Sequence, residues 1–323
     1  MNKIKVGILF GGKSAEHEVS LLSAKNVIEA IDKNKYKPIL IKIDKNGKWS
    51  NKFNFKGIDV VFPILHGPFG EDGTVQGLLK TVGIPFVGPS VLGSAIGMDK
   101  EVSKRLWRDA GLFIAKFLVF HKHEVNKINF SRVKKELGLP LFIKPSNLGS
   151  SVGISKVNSK KEFEIGIKEA FKYDSKIIIE ENVKGREIEC AILGNENPIA
   201  SIPGEVIPKK DFYSYEAKYI DENGAILEIP ASLTKSKQKE IQNLAIKAFQ
   251  IICCEGLSRV DFFLTDKGKL IINEINTIPG FTNISMYPRL WKESGISYSK
   301  LIDKLIQLAI LRHKREEKLK TSV

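Results

Sequence analysis

Cysteine and long apolar runs are the two features that this sequence largely lacks. Only three cysteines occur in 323 residues, Cys190, Cys253 and Cys254, and their spacing fits neither a disulfide framework nor a metal site. No segment approaches the roughly 20 apolar residues of a membrane span, and the apolar run before Gly11 is too short for a secretory signal. We therefore expect a protein of the reducing cytoplasm with no membrane partner.

Acidic residues are in the minority, because 37 Asp and Glu stand against 51 Lys and Arg and give a formal charge of +14. Most of the excess is Lys spread along the whole chain. The one dense basic stretch, 312–320, contains Glu316 and Glu317, which favours a solvated helix end over a binding tail. A nucleic-acid partner is therefore not expected, whereas an anionic small molecule suits the charge.

The first 95 or so residues alternate between strand and helix patterns. An apolar run at 5–10 is followed, after two glycines, by apolar residues at helical spacing over 21–31. A second run at 59–65 is followed by a helix-like segment at 74–80. This alternation predicts βα units on a parallel sheet, which places function at the carboxyl ends of its strands. The length of the chain allows two or three domains.

Glycine and serine cluster in the loop SNLGSSVG at 146–153, directly after Lys144 and Pro145 at the end of a predicted strand. Glycines let backbone amides approach phosphate oxygens, and Ser150 and Ser151 add hydroxyl donors. The loop matches neither GxxxxGK[ST] nor GxGxxG, so an ordinary surface loop is the alternative. Lys144 favours the phosphate interpretation, because a cation at a strand end beside such a loop can meet a triphosphate.

Three further segments carry polar residues that each allow a structural and a functional interpretation. Glu180 and Glu181 end one predicted strand and Glu187 opens the next, so they could bind an adenine amino group and ribose hydroxyls or be solvated strand ends. His66 follows a buried-type strand at a glycine-rich turn, where structural and catalytic roles are equally open. The segment FYSYEAKY at 212–219 is either surface packing or a lid over a substrate.

The most informative stretch is LSRVDFFLTDKGKLIINEINTIPG, at 257–280. The turn DKGK joins two apolar runs and predicts an antiparallel hairpin. That turn places Asp261 opposite Glu274 and Arg259 opposite Asn276, with all four side chains on one face. Carboxylate and amide oxygens bind Mg²⁺, which keeps open positions for phosphate oxygens. The stretch therefore predicts a magnesium site and ATP chemistry, with a solvated polar face as the alternative.

Taken together, the segments resemble the D-alanine-D-alanine ligases of the ATP-grasp superfamily from residue 6 to about residue 311. The motifs that carry the resemblance are GGKSAEHEVS (11–20), LHGPFGEDGTVQG (65–77), MDK (98–100), KPSNLGSSVG (144–153), EENVKGREIE (180–189), YEAKY (215–219), GLSRVDF (256–262) and NEINTIPGFTNIS (273–285). The implied fold is α/β, with an N-terminal parallel-sheet βα domain followed by a two-part ATP-grasp fold. The implied domains are 1–98, on the first-substrate side and at a dimer contact; 99–185, the central ATP-grasp domain; and 186–323, the C-terminal ATP-grasp domain with the metal site and lid loop.

The resemblance also implies a reaction. ATP would phosphorylate the carboxylate of one D-alanine, and the amino group of a second D-alanine would attack the acyl phosphate to give D-alanyl-D-alanine for peptidoglycan synthesis. The implied cofactors and partners are ATP, two Mg²⁺ ions with Mn²⁺ as a substitute, D-alanine and a second copy of the chain in a homodimer. A ligase that joins D-alanine to D-lactate or D-serine is the alternative, although the YEAKY motif favours the dipeptide.

Two other classes of protein fit the residues less well. A dinucleotide-dependent oxidoreductase is disfavoured because Gly11 and Gly12 lack the third glycine of its fingerprint. A nonenzymatic nucleotide-binding protein is disfavoured because it would not need the complete set of polar residues that a ligase site uses. These are Glu16, Ser150, Arg259, Asp261, Glu274, Asn276 and Ser285.

The same resemblance assigns roles to individual residues. The residues implied for catalysis are Glu16, Ser150, Tyr219, Arg259, Gly280 and Ser285, with Arg259 and the Gly280 amide at an oxyanion. Those implied for substrate binding are Glu16 at the first ammonium, Lys218 and Ser285 at the second carboxylate, and His66. Those implied for ATP are Lys100 and Lys144 at the phosphates, Ser151 in the loop, Glu180, Glu181 and Val183 at adenine, and Glu187 at the ribose. The implied metal ligands are Asp261, Glu274 and Asn276.

Overall fold

The N-terminal part of the chain contains a three-stranded parallel sheet. The computed structural model describes residues 2–50, 55–208 and 225–320. Its first elements are β1 (Ile4–Gly11), α1 (His17–Ala30), β2 (Tyr36–Ile43), β3 (Val60–Ile64), α2 (Thr74–Thr81) and α3 (Val91–Met98). The strands lie in the order β2-β1-β3, and both neighbouring pairs are parallel. The predicted βα units on a parallel sheet are confirmed.

The strand β2 is an addition to the predicted elements. Its sequence, YKPILIKI, contains Pro38, which has no N–H for a ladder hydrogen bond. Proline is tolerated in an edge strand, and β2 lies at one end of the strand order with Pro38 opposite Val6 of β1. The proline therefore weakens the strand pattern in the sequence without preventing the strand.

A four-stranded antiparallel sheet forms the middle of the chain. The elements of this part are α4 (Lys100–Asp109), β4 (Phe117–His121), a 3₁₀ helix (Lys122–Lys127), α5 (Phe130–Leu137), β5 (Leu141–Pro145), β6 (Ser155–Val157), α6 (Lys160–Tyr173) and β7 (Lys176–Glu181). The strand order is β4-β7-β5-β6. Val133 of α5 and Phe163 and Ile167 of α6 share a core with Ile143 and Ile179 of the sheet.

A six-stranded antiparallel sheet follows. The elements of this part of the chain are β8 (Arg186–Gly194), β9 (Ile199–Ala200), β10 (Gly204–Pro208), β11 (Ala225–Glu228), α7 (Lys235–Ile251), β12 (Gly256–Leu264), β13 (Leu270–Asn276), α8 (Met286–Glu293) and α9 (Tyr298–Glu316). The strand order is β11-β10-β8-β12-β13, with β9 paired to β8. Ile241, Ala245 and Phe249 of α7 share a core with the strands of this sheet.

One apolar core joins the N-terminal sheet to the C-terminal helices. Phe281 is fully buried, and its ring lies edge to face against Phe62 of β3 with centroids 5.7 Å apart. Leu301 and Leu305 of α9 belong to the same core, so the apolar side of this amphipathic helix packs against it. Among the described residues, no helix combines the length and apolar composition that a bilayer span requires.

Helix α4 packs with the six-stranded sheet although it precedes the middle sheet in the chain. Asp99 begins the helix, because its carboxylate accepts from Glu101 N at 3.1 Å and from Val102 N at 3.2 Å. Trp107 is fully buried in the core between α7 and the six-stranded sheet, where its indole donates to Ala248 O at 3.0 Å. The domain limits at 98/99 and 185/186 stay predictions. By sequence α4 belongs to the predicted central domain, but Trp107 packs in the core of the predicted C-terminal domain.

We expect Trp107→Ala to lower the free energy of unfolding by about 3–5 kcal/mol, because it removes a fully buried indole and its hydrogen bond. Denaturant unfolding of the wild type and the variant measures the difference. Leu311→Ala, on the exposed side of α9, is the control and should change stability by less than about 0.5 kcal/mol. A loss below about 1 kcal/mol at Trp107 would contradict the assignment of α4 to this core.

Candidate active site

A cleft between the two antiparallel sheets collects the described site residues other than His66. Its inner compartment, next to the turn after β1, is lined by Glu16, Lys100, Ser150, Glu187, Arg259, Asp261, Glu274, Asn276, Gly280 and Ser285, among others. Its outer compartment, next to β7, is lined by Lys144, Ser151, Glu180, Glu181 and Val183 and also by Lys100, Ser150, Glu187 and Glu274. Lys218 and Tyr219 lie outside the described residues, as does the whole predicted lid segment 212–219.

The β12-β13 hairpin has the predicted register. Arg259 lies opposite Asn276, and Asp261 lies opposite Glu274. All four side chains line the inner compartment. The apolar side chains between them, buried in the core with α7, are Val260, Phe262, Ile272 and Ile275. The alternation of polar and apolar residues thus presents four polar groups to the cleft.

A β-bulge interrupts this hairpin at Asn273. The register passes from Asp261–Glu274 directly to Phe262–Ile272, so Asn273 has no opposite residue. Bulges re-aim side chains and are frequent beside active sites. Here the bulge immediately precedes Glu274, and Asn273 lines both compartments. The prediction of strand pairing missed it, because the apolar pattern alone gave no sign of the extra residue.

The hairpin residues fit a hard divalent cation. Within the described ranges, Asn276 Oδ1 is buried and has no hydrogen-bond partner. Asp261 and Glu274 lie opposite each other on the two strands, and both line the inner compartment. Such oxygen donors suit Mg²⁺. No group of three His, Cys, Asp or Glu suited to a metal occurs in the part of the chain that the structure describes, so a metal here would need the amide.

Protein cations balance the carboxylates of the inner compartment. Arg259 donates to Asp261 through Nε and Nη2, each at 2.7 Å, and its Nε lies 2.9 Å from Glu189 Oε2. Lys100 Nζ lies 3.7 Å from Glu274 Oε2. Glu189 is an acidic residue of the cleft that the sequence analysis did not select. Because Lys100, Glu189, Arg259 and Asp261 are largely buried, their pairing offsets the cost of removing ionised groups from water.

Glu180 lies between two lysines at the back of the outer compartment. Its Oε2 accepts from Lys144 Nζ at 2.6 Å, and its Oε1 lies 2.9 Å from Lys104 Nζ. Burial raises the pKa of Glu180, but the positive charges of Lys104 and Lys144 outweigh this effect and lower it to about 2. Glu180 is therefore an ionised hydrogen-bond acceptor in the wall of the compartment.

The glycine-rich loop at 146–153 is fixed in a conformation that is unusual for serine. Ser150 and Ser151 have φ values of 53° and 60°, in the left-handed region. Lys100 Nζ donates to Leu148 O at 2.6 Å and so ties the loop to α4. Strained backbone of this kind is concentrated at ligand sites. The loop is thus part of the cleft and not an ordinary surface connection.

This loop also contacts the N-terminal part of the chain. Ser150 Oγ donates to Glu16 Oε1, which joins two residues that the family resemblance implies for catalysis. Glu16 is largely buried and directly precedes α1. Gly67 has a φ of +75°, and a Cβ there would lie 2.8 Å from Glu16 Oε2. Glycine is therefore required at position 67 both by the backbone and by the closeness of the carboxylate.

Glu71 is a buried titratable group that the sequence analysis did not select. It lines the inner compartment, whereas His66 lies behind it, with Nδ1 3.5 Å from Glu71 Oε1 and 3.0 Å from Ile278 O. Burial raises the pKa of Glu71 to about 7, an effect that the charge of Glu16 supports and the hydrogen bond with His66 opposes. His66 reaches the cleft only through Glu71, so its role in substrate binding stays a prediction.

In the segment after β13, the hydroxyl of Ser285 lies close to the backbone of Gly280 and Thr282. Ser285 Oγ accepts from Thr282 N at 3.1 Å and lies 2.7 Å from Thr282 Oγ1. A Cβ at Gly280 would lie 2.8 Å from Ser285 Oγ, so a side chain there would displace the hydroxyl. Ser285 also directly precedes α8, and a helix N-terminus favours an anionic ligand group.

Known sequences and structures match the chain over nearly its whole length. Sequence models of the D-ala D-ala ligase C-terminus and N-terminus match residues 106–307 and residues 5–57 and 50–89. The D-alanine--D-alanine ligase of Oceanobacillus iheyensis is 52% identical and covers 99% of this chain and 99% of its own length. The D-alanine--D-alanine ligase A of Escherichia coli (strain K12) is 47% identical and covers 100% of both chains. The chain belongs to the D-alanine-D-alanine ligase family.

Solved structures of this family share the fold. The D-alanine-D-alanine ligase from Coxiella burnetii has a TM-score of 0.89 at 37% identity, over 98% of this chain and 97% of that chain. The VanG D-Ala:D-Ser ligase from Enterococcus faecalis has a TM-score of 0.87 at 36% identity, over 95% of this chain and 100% of that chain. The α/β fold that the resemblance implied is therefore confirmed, and the ligase family replaces the oxidoreductase and nonenzymatic alternatives.

We expect Glu71→Gln to flatten the pH dependence of stability in this ligase between about pH 4.5 and about pH 7. The folded state raises the pKa of Glu71 from 4.5 to about 7, so its stabilising contribution is complete below the first value and is lost as pH rises through the second. Denaturant unfolding at pH 5 and pH 8 should show a smaller difference in the variant, by on the order of 1–3 kcal/mol. The exposed Glu164→Gln should keep the wild-type difference, and an unchanged difference in Glu71→Gln would contradict the role of burial.

Proposed function

We infer that this chain is an ATP-dependent ligase that joins two D-alanine molecules into D-alanyl-D-alanine, with release of ADP and phosphate. Relatives that are 47–52% identical over the full length support this reaction. The observation that carries it is the pair of opposed carboxylates, Asp261 and Glu274, at the junction of a lysine-lined outer compartment and an inner compartment that contains Glu16 and Ser285. The dipeptide serves peptidoglycan synthesis, so the ligase acts in building the cell wall.

The reaction needs activation before the peptide bond forms, because a carboxylate is a poor electrophile at neutral pH. We assign ATP to the outer compartment. Lys100 and Lys144 would neutralise its phosphates, and Ser151 would donate from the glycine-rich loop. Glu180 would accept from the adenine amino group, an assignment supported by its buried, ionised carboxylate. The remaining residues proposed around the nucleoside are Glu181 and Val183 at adenine and Glu187 at the ribose.

We assign Mg²⁺ to Asp261, Glu274 and Asn276. The assignment is supported by the opposed carboxylates and by Asn276 Oδ1, which has no hydrogen-bond partner among the described residues. Two ions, with Mn²⁺ as a substitute, would spread the negative charge of the phosphates.

The inner compartment would hold the two amino acids. Glu16 would bind the ammonium of the first D-alanine, and its hydrogen bond with Ser150 would bring the glycine-rich loop over that substrate. Arg259 and the Gly280 amide would stabilise the oxyanion of the tetrahedral intermediate. Ser285 and Lys218 would bind the carboxylate of the second D-alanine, with His66 and Tyr219 as further substrate-side residues. The close approach of Gly280 to Ser285 supports the placement of both groups at one substrate.

We further propose that the ligase is a cytoplasmic homodimer that pairs through its N-terminal domain. The exposed apolar side chains of Leu22, Leu40 and Leu78, in the N-terminal part of the chain, are consistent with a contact surface. The three cysteines are free, as a reducing compartment requires. Sedimentation equilibrium of the full chain distinguishes monomer from dimer.

The second candidate function is a ligase that uses D-serine or D-lactate as the acceptor. It is favoured only by the similarity to the VanG D-Ala:D-Ser ligase, at 36% identity, against 47–52% for the D-alanine--D-alanine ligases. Phosphate release from ATP, measured with D-alanine alone and with L-alanine, tests the ligase function itself. Turnover with L-alanine equal to that with D-alanine would contradict it.

We expect D-alanine to outcompete D-lactate as the acceptor from about pH 6 to about pH 9. The inner compartment contains the carboxylates of Glu16 and Glu189 and, above its raised pKa of about 7, that of Glu71, and these favour an ammonium over a neutral hydroxyl. Product analysis by mass spectrometry, with both acceptors at equal concentration, measures the ratio of dipeptide to depsipeptide. A parallel reaction with D-serine tests the second candidate. Depsipeptide as the main product near neutral pH would contradict the acceptor assignment while leaving the ligase function in place.

We expect Glu274→Gln to lower turnover by at least about 100-fold, because one lost charge weakens both metal binding and the neutralisation of the phosphates. The fold should remain, since Glu274 is only partly buried. Steady-state rates over a Mg²⁺ titration measure the effect. Asp266→Asn, in the exposed turn of the same hairpin, is the matched control and should keep near-normal turnover. Near-normal activity of Glu274→Gln at saturating Mg²⁺ would exclude the proposed metal site.

A further inference from the structure

Lys104 is a lysine buried behind the cleft, with only 1% of its side chain exposed. It lies one helical turn after Lys100 on α4, on the same side of the helix. Its Nζ donates to Asn273 O at 2.7 Å and lies 2.9 Å from Glu180 Oε1. An ammonium is retained at such a depth only where it is paired and hydrogen-bonded. These two contacts are therefore the reason that a lysine fits this position.

The two partners of Lys104 belong to different sheets. Glu180 is in β7 of the four-stranded sheet and forms part of the wall of the outer compartment. Asn273 is the bulged residue of β13 in the six-stranded sheet, directly before Glu274. Lys104 thus connects the carboxylate on the nucleotide side of the cleft to the backbone that carries a proposed metal ligand.

Glu180 has two lysine partners that differ in their access to the cleft. The side chain of Lys144 is 12% exposed and lines the outer compartment, whereas Lys104 is 1% exposed and lies behind the wall. Only Lys144 can turn towards an anionic ligand without leaving its place in the fold. When it does so, Lys104 remains as the counterion of Glu180, which would otherwise be an unbalanced buried carboxylate.

We propose that Lys104 is a positioning residue for the nucleotide, a role that rests on the ligase function above. It keeps Glu180 ionised and oriented as the acceptor for the adenine amino group while Lys144 binds the phosphates. It also fixes the bulge at Asn273 that directs Glu274 into the cleft. Lys104 acts through Glu180 and Asn273 and does not touch the substrates.

The test is the binding of ADP and of inosine diphosphate, which has an oxo group in place of the adenine amino group. Calorimetry with Mg²⁺ and without D-alanine gives both dissociation constants. The wild type should prefer ADP. Lys104→Met keeps the length of the side chain and removes its charge. The variant should bind ADP at least about 10-fold more weakly and should discriminate between the two diphosphates by less than about 2-fold. Wild-type affinity and preference in Lys104→Met would overturn the proposal.

A pH series adds a readout that a general loss of packing would not change. Without Lys104 the pKa of Glu180 should rise, because one of its two balancing charges is gone. The affinity of Lys104→Met for ADP should therefore fall more steeply from pH 8 to pH 6 than that of the wild type. Parallel pH profiles would overturn the proposal.

Lys176→Met is the matched control. Lys176 also bridges β7 to the start of α4, since its Nζ lies 2.6 Å from Asp99 Oδ2 and 2.8 Å from Glu101 Oε2, and its side chain is 14% exposed. Its removal should lower stability, yet the preference for ADP over inosine diphosphate should remain. An equal loss of preference in this control would overturn the specific role of Lys104.

A double variant keeps the proposal testable if Lys104→Met does not fold. Lys104→Met combined with Glu180→Gln leaves no unbalanced carboxylate behind the wall and should fold. Its affinity for ADP, measured without Mg²⁺, should match that of Glu180→Gln alone within about 2-fold, because the second contact of Lys104, through Asn273 and Glu274, acts on the metal and leaves only the contact through Glu180 in this measurement. A further loss of about 10-fold would overturn the proposal. If the wild type binds neither diphosphate, the ligase function fails as well, whereas equal binding of ADP by the wild type and Lys104→Met removes only the role of Lys104.

Discussion

The balance of buried charge around the cleft is the constraint on which the rest of this structure depends. Glu180, Asp261 and Glu274 are carboxylates on three strands of two sheets, and an ionised carboxylate out of water costs several kcal/mol unless it is paired. The lysines of α4 supply charges to both sheets: Lys100 faces Glu274, and Lys104 faces Glu180. Helix α4 is therefore held between the sheets by electrostatics as well as by apolar packing.

The parts of the site that the sequence predicted correctly are those that depend on local pattern. The bulge at Asn273 offsets a pairing next to the turn, Leu264 with Leu270, that is one residue out of the predicted register. With that offset, Arg259 pairs with Asn276 and Asp261 with Glu274, as the turn DKGK and the alternation of two short strands predicted. The parallel sheet follows in the same way from apolar runs that end at glycines. The roles of Lys100, Lys144 and Glu16 came from the family resemblance, and the structure brings all three residues to one cleft.

The parts that the sequence did not predict depend on contacts between distant segments. Lys104 is 169 residues from Asn273 in the chain, and on a helix rich in charged residues it looks like one more solvated lysine. Glu71 follows a glycine-rich turn, and only its burial next to Glu16 distinguishes it from an ordinary loop carboxylate. Pattern gives the face of an element but not the depth at which the fold places it, and depth is what distinguishes Lys104 and Glu71 from surface charges.

The charge distribution in the cleft explains how one site can hold reactants of opposite sign. Lys144 lines only the outer compartment, where it suits a triphosphate, and Lys100 lines both compartments, whereas Glu16, Glu71 and Glu189 line only the inner one, where they suit an ammonium. The formal charge of +14 describes neither compartment, because diffuse surface lysines dominate it. In the proposed reaction this distribution would hold the amino group of a substrate away from the phosphates and leave its carboxylate directed towards them. That order is what the transfer of a phosphoryl group to the carboxylate requires.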